Sequence, residues 1–175
     1  MVGWFDGSHL SKSPAQWDAA KLAWVNGQYI KAKADDELAP LVAAQLKKRG
    51  ITADERLTAI CALFKDRCET TVALADWAAA FYADVTPSDA DRAQHVTDAV
   101  RPALATLADK LATLAAWDKA SIAAAIKEVL AAHGMKMPAL AMPVRVLVMG
   151  TPQTPSLDAV LAIFSKEKVI ERLKG

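Results

Sequence analysis

One arginine is set apart by its surroundings. Arg145 lies inside Pro143-Val-Arg-Val-Leu-Val-Met-Gly150, an otherwise apolar run, and Thr154-Pro-Ser-Leu157 follows shortly after. A charge in such a run is costly unless it is satisfied. Guanidinium is a flat fork with five donors; it can read a base edge or stack on a base, which suits single-stranded RNA. The same arginine could serve the fold by pairing with a carboxylate, and the residues leave these two readings level. Other chemistry is thin. The carboxylate pairs Asp35/Asp36, Asp54/Glu55 and Asp89/Asp91 fall at expected helix starts, where capping and the dipole account for them. His9, His95 and His133 are far apart and have no neighbour at catalytic or metal spacing. On one helix Cys61 and Cys68 would sit about 10.5 Å apart, beyond the roughly 7 Å Cα separation of a disulfide. They read as small buried apolar groups. Nothing assembles a nucleophile, a base and an oxyanion site, so no catalytic, cofactor-binding or metal residue is expected.

The elements that must hold these residues are helical. Of 175 residues, 37 are alanine and only 7 glycine, and 53% are apolar against 23% charged. Alanine is the best helix former, so the fold class is all-α. The same arithmetic excludes intrinsic disorder, collagen-like sequence and a disulfide scaffold. Net charge is +1, not that of a chain coated with basic residues. The charge is segregated, however, with an acidic middle over 51–134 and a basic tail over 135–175. No basic start followed by an apolar run marks a signal peptide. The stretch Met137–Leu157 has little charge, but Pro138, Pro143, Gly150, Pro152 and Pro155 unfit it for spanning lipid. A cytoplasmic chain with no membrane partner is expected.

Asp18–Lys33 is helical, with Leu22, Val25, Tyr29 and Ile30 on one side. A second helix covers Asp35–Lys48 and closes on Gly50; Pro40 suits a first turn, which would delay regular helix to about Ala39. Thr52-Ala-Asp-Glu55 reads as a capping box ahead of a stripe of Leu57, Ile60, Cys61, Phe64 and Cys68. A helix from about Thr70 to Tyr82 follows, and Thr86-Pro-Ser88 breaks the chain and caps the next. From Ser88 a new stripe of Val96, Val100, Leu104, Leu107 and Leu111 runs to Leu114, with a kink or break near Arg101 caused by Pro102. Asp118 caps a helix ended by Gly134. Residues 144–148 alternate like a strand, but no second strand exists to pair with them, so a short helix starting at Pro143 is expected. Ser156 and Ser165 cap the last two helices.

Several strings together resemble the bacterial glutamyl-tRNA synthetase family. They are Leu10-Ser-Lys-Ser-Pro-Ala-Gln-Trp-Asp18, Lys21-Leu-Ala-Trp-Val-Asn26 with Tyr29-Ile30, Phe64-Lys-Asp-Arg67, Pro143-Val-Arg145, Gly150, Thr154-Pro-Ser-Leu157-Asp and Lys166-Glu-Lys-Val-Ile-Glu-Arg172. Order and spacing agree from about Trp4 to the last residue. The resemblance is to the family's C-terminal, anticodon-binding region. Leu10-Ser-Lys-Ser13 is similar to a lysine–serine ATP loop, but the family's own loop lies upstream, so a turn and helix cap is the reading kept. The chain departs from the family at Cys68-Glu-Thr-Thr, where Thr-Leu is usual, and at Val-Met-Gly150, where Leu-Thr-Gly is commoner.

The resemblance implies an all-helical region built of two consecutive anticodon-binding subdomains. Residues 1–33 would end a stem-contacting segment, and 34–86 and 87–175 would be the subdomains. It implies that Arg67 reads the third anticodon base and Arg145 the first. Thr154, Pro155 and Leu157 would pack around the anticodon, and Lys21 and Trp24 would hold the inner side of the tRNA. The partners implied are tRNA(Glu) and the upstream catalytic half of a monomeric glutamate–tRNA ligase. ATP and Mg would belong to that half, and this chain alone would be non-catalytic. The competing expectation is a helical protein-interaction domain with no RNA function.

Overall fold

A computed structural model describes residues 17–174, and among them are ten α-helices and no strand. Leu10-Ser-Lys-Ser13, Pro14 and His9 lie outside the described residues. The all-α expectation is met.

Helix α1 (Ala19–Ala32) is capped by Asp18, whose carboxylate accepts the Lys21 N–H at 3.0 Å. Its inward face carries Gly27 and Ile30, whereas Leu22 and Tyr29 of the expected apolar side are exposed. Helix α2 (Asp35–Lys47) opens on three acidic residues and buries Leu38, Val42 and Leu46. It starts at Asp35 rather than Ala39. Pro40 is exposed, and the Asp36 carbonyl deprived of its N–H belongs to an exposed residue, where water can replace the lost bond.

Helix α3 spans Leu57–Phe64. The expected capping box does not form. The Asp54 carboxylate accepts the Arg56 N–H at 3.0 Å and pairs with its guanidinium at 2.8 Å, so the chain makes a turn and the helix begins afterwards. Nor does this helix reach Cys68. It tightens into a 3-10 turn, Lys65–Arg67, and Cys68 is extended. Helix α4 (Thr71–Ala79) is capped by the Thr70 hydroxyl.

Ser88 caps α5 (Asp89–His95), and the break at Pro102 is found where proline predicts it, at the start of α6 (Arg101–Ala112). Asp118 caps α7 (Lys119–Ala132). Helix α8 (Met137–Met149) starts six residues before Pro143, with Pro138 as its first-turn proline. Pro143 leaves the Ala139 carbonyl without its helical donor, but Ala139 is exposed. The alternation of Val144, Val146 and Val148 is helix: almost every residue from Leu140 to Met149 is buried, so no polar face marks the period. Gly150, at φ 75°, ends α8 in the left-handed conformation that glycine takes without strain. Helices α9 (Leu157–Ile163) and α10 (Lys166–Lys174) complete the chain. Ser165 caps α10 at 3.3 Å, while Ser156 stands before α9 without a capping bond.

Packing falls into two neighbourhoods. Helix α2 packs on α3 and α4, and α1 on the 3-10 turn. Helix α6 packs on α7, α8 and α10, α7 on α9, and α5 on α8. The buried side chains nevertheless form one continuous core, joined where α3 meets α9. No described helix is long and apolar enough to cross a membrane.

Candidate nucleic-acid interface

Arg67 ends the 3-10 turn and is exposed. The turn is anchored on both sides. Phe64 before it is fully buried and stacks on Trp77 at 5.2 Å; Cys68 after it is buried too. Lys65 binds the Asp35 carboxylate at 2.8 Å and the Lys33 carbonyl at 3.0 Å, pinning the turn to the α1–α2 corner. Asn26 donates to the Glu69 carbonyl. Gly27 lies so near that a Cβ there would stand 3.5 Å from the Glu69 side chain, in ordinary contact. Helix α1 and the 65–70 segment thereby enclose an open cavity of about 430 Å³. Trp24, Gln28, Lys31 and Arg67 line it. Trp24, 59% exposed, offers a stacking face.

Arg145 is built differently. It projects from the most deeply buried helix, and its Nη2 donates to the Pro155 carbonyl at 3.2 Å. The Thr154 hydroxyl donates to the same carbonyl at 3.1 Å. One backbone oxygen thus ties together the helix and the 150–156 loop. Thr154 is 6% and Leu157 5% exposed, so these two shape the site rather than present broad faces. The Arg145 Nε is buried and has no partner. The guanidinium borders a second cavity, of about 280 Å³, together with Ile126, Ala141, Ser156, Leu157 and Asp158.

Burial pushes the Arg145 pKa below the usual guanidinium value, and the positive charge of Arg67 lowers it further. Among the described residues neither makes an ion pair. The carboxylate partner that would make Arg145 structural is therefore not found there. Asp158 shares its cavity but faces Lys119, at 4.0 Å. Two uncompensated cations, one with an orphaned donor, make a site for a ligand rich in acceptors.

An anticodon binding domain family matches residues 37–175. The chain belongs to that family. Its sequence is 67% identical over 175 residues to a glutamate--tRNA ligase of Albidiferax ferrireducens, covering all of this chain and 38% of that protein. It is 63% identical over 178 residues to that of Paracidovorax citrulli, covering 99% of this chain and 37% of the relative. The chain thus spans little more than a third of the curated relatives it matches. A crystal structure of a glutamate tRNA ligase from Elizabethkingia meningosepticum superposes with a TM-score of 0.84 at 20% identity, over 94% of this chain and 33% of the other. That likeness is one of fold.

In this anticodon binding domain the structure brings Trp24 and Arg67 to one cavity and knits Arg145, Thr154 and Pro155 together, with Leu157 beside them. Lys21 stands one turn before Trp24 on the same side of α1 and borders neither cavity. Sequence reading missed Gln28 and Lys31. Their spacing of four and seven residues from Trp24 was the available signal. Among the described residues no group of three or more metal-ligating side chains could hold a metal ion.

Proposed function

We propose that this domain reads the anticodon of tRNA(Glu) through its two arginines, Arg67 at the third base and Arg145 at the first. The observation that carries the reading is a pair of arginines from different helical neighbourhoods that make no ion pair among the described residues, Arg67 exposed beside Trp24 in one cavity and Arg145 with a buried Nε that has no partner. An acceptor-rich strand laid across both would relieve their repulsion and satisfy their donors. Arg67, on an exposed turn, offers a movable fork for a base edge, and Trp24 offers a surface for stacking in the same cavity. Arg145, held by the Pro155 carbonyl, offers a fixed one. Thr154, Pro155 and Leu157 set the loop and helix start that close around the first base. Lys21 supplies charge along the backbone. Residues 34–86 and 87–175 act as the two anticodon-binding subdomains, and 1–33 as the end of a stem-contacting segment.

The domain serves a glutamate–tRNA ligase, a monomeric cytoplasmic enzyme of the class I aminoacyl-tRNA synthetases. Its catalytic half would bind ATP and Mg and attach glutamate to the tRNA. The kinship with curated glutamate--tRNA ligases supports this assignment.

Filter binding with glutamate-tRNA transcripts, unaltered and with the third anticodon base changed from C to G, tests the reading at two salt concentrations. Expected is selective binding of the unaltered RNA that weakens with salt. Equal retention of both RNAs would contradict the role of Arg67. No retention of either, with capture of protein partners instead, would favour an interaction domain.

A further inference from the structure

Arg172 is a half-buried guanidinium that spans the two helical neighbourhoods. Its Nη1 donates to the Ala80 carbonyl at 3.0 Å and the Val148 carbonyl at 2.5 Å, and its Nη2 to the Ala83 carbonyl at 2.7 Å. Ala80 is the C-cap of α4, Ala83 lies just beyond, and Val148 is in the last turn of α8. The Ala80 and Val148 carbonyls are ones that helix ends leave without a donor, at the negative pole of the dipole, and the Ala83 carbonyl belongs to the bend after α4. One planar cation therefore caps two helices that belong to different halves. Its plane also lies over the Phe164 ring at 5.1 Å. Phe164 stacks on Phe81 at 4.4 Å, and Phe81 meets Phe64 edge-on at 5.9 Å. The chain of contacts ends three residues before Arg67. On the other side, Val148 lies three residues after Arg145.

Resting on the anticodon-reading function above, we propose that Arg172 is a positioning residue, the clamp that fixes the Arg67-bearing half against the Arg145-bearing half so that one RNA meets both arginines at a set spacing. Lysine is no substitute, because its donors radiate from one nitrogen, whereas this guanidinium spreads its bonds to three carbonyls over two. The neighbouring Lys168–Asp84 pair crosses the same junction at 2.9 Å, but Asp84 is almost fully exposed and such a pair holds little.

Two measurements on the full chain test the clamp. The first compares binding of four transcripts, with the anticodon unaltered, changed at the first base, changed at the third, and changed at both. In Arg172→Met the unaltered RNA is expected to bind about tenfold more weakly, because ordering of the two halves must then accompany binding. The doubly changed RNA, which engages neither arginine, is expected to bind as it does to the parent. Discrimination at both bases then shrinks together although Arg172 touches neither. A merely structural role would weaken all four RNAs equally, and that result overturns the proposal. The second measurement is the distance distribution between nitroxides on Ala44→Cys in α2 and Ala124→Cys in α7, both exposed; native Cys61 and Cys68 are buried and stay unlabelled. A narrow distribution in the parent that broadens in Arg172→Met supports the clamp. An unchanged distribution overturns it. A parent that ignores both bases while the distribution still broadens removes the anticodon reading and leaves the clamp without that purpose. Should Arg172→Met not fold, Arg172→Lys, which keeps the charge but loses the fork, carries the same two tests with the same outcomes.

Discussion

Arg67 and Arg145 are the same residue in opposite settings. Arg67 is carried outward by a three-residue turn strung between buried Phe64 and Cys68, and its own side chain is held by nothing described. Arg145 is half-buried in a helix whose neighbours are almost all core, tied to the Pro155 carbonyl and left with an orphaned Nε. The first arginine is positioned through its backbone, and its exposed side chain is free to change rotamer. The second is positioned through its own donors, and desolvation is the cost. A mobile fork loses more freedom on binding a base; a fixed one has lost it already. The fixed site carries its cost in the free protein, the mobile one in the complex.

The largest effect that would test this contrast is on the support of the mobile site. Phe64→Ala removes a fully buried ring, its stack on Trp77 and its edge contact with Phe81. Loss of such a ring costs about 3–5 kcal/mol. Urea denaturation should show a shift of that size. A loss under 1 kcal/mol would mean that the anchor does not hold the turn.

Next in size are the readouts themselves. Arg67→Ala should lose discrimination at the third anticodon base and keep it at the first, and Arg145→Ala the reverse. Each is expected to be worth about 1–3 kcal/mol, by analogy with paired arginine contacts to DNA bases. Titration of singly changed transcripts measures both. Losses at the same base from either substitution would break the division of labour.

A third test uses Cys68, the other anchor of the Arg67 turn. Burial pushes its thiol pKa from 9.0 up to about 11, and Cys61 behaves alike. The folded pKa is raised, so the native state binds more protons between those values. The stabilisation is complete below pH 9 and lost as pH rises towards 11. Each thiol is worth on the order of 2 kcal/mol or less. Denaturation midpoints should fall across that window, and Cys68→Ala should flatten part of the fall. A parent curve flat to pH 11 would refute the thiol burial.

Much of this was legible in the sequence, and what was not has physical causes. The breaks at Thr86-Pro-Ser88 and Pro102 were readable because proline and capping side chains act locally. Pro40 and Pro143 misled because a missing donor matters only where water cannot replace it, and exposure of Asp36 and Ala139 is a tertiary fact. The end of α3 at Phe64 was hidden for a similar reason. The 3-10 turn is pinned by Lys65 to Asp35 and Lys33, about thirty residues away. Arg145 was noticed because its sequence neighbours are apolar. That Pro155 supplies its tether depends on how the 150–156 loop folds back on α8, and that the charge of Arg67 is felt there depends on how the two halves pack.

The smallest effect is the sharpest. If Arg145 is held at a cost for the sake of a ligand, removing its charge should stabilise the free protein. Arg145→Met keeps a side chain of similar length among Ile126, Ala141 and Leu157. It abolishes the buried donor without a partner and the repulsion from Arg67. It also gives up the bond to the Pro155 carbonyl, which offsets part of the gain. The net expectation is a gain of about 1 kcal/mol, since a half-buried charge with an unpartnered buried donor carries a desolvation cost that an apolar side chain lacks. Arg67→Met, at an exposed site, should stay within about 0.5 kcal/mol of the parent. Paired urea titrations without RNA distinguish the two. A clear loss of stability in Arg145→Met would show that the guanidinium serves the fold after all, and the contrast between the two arginines would then be one of exposure alone.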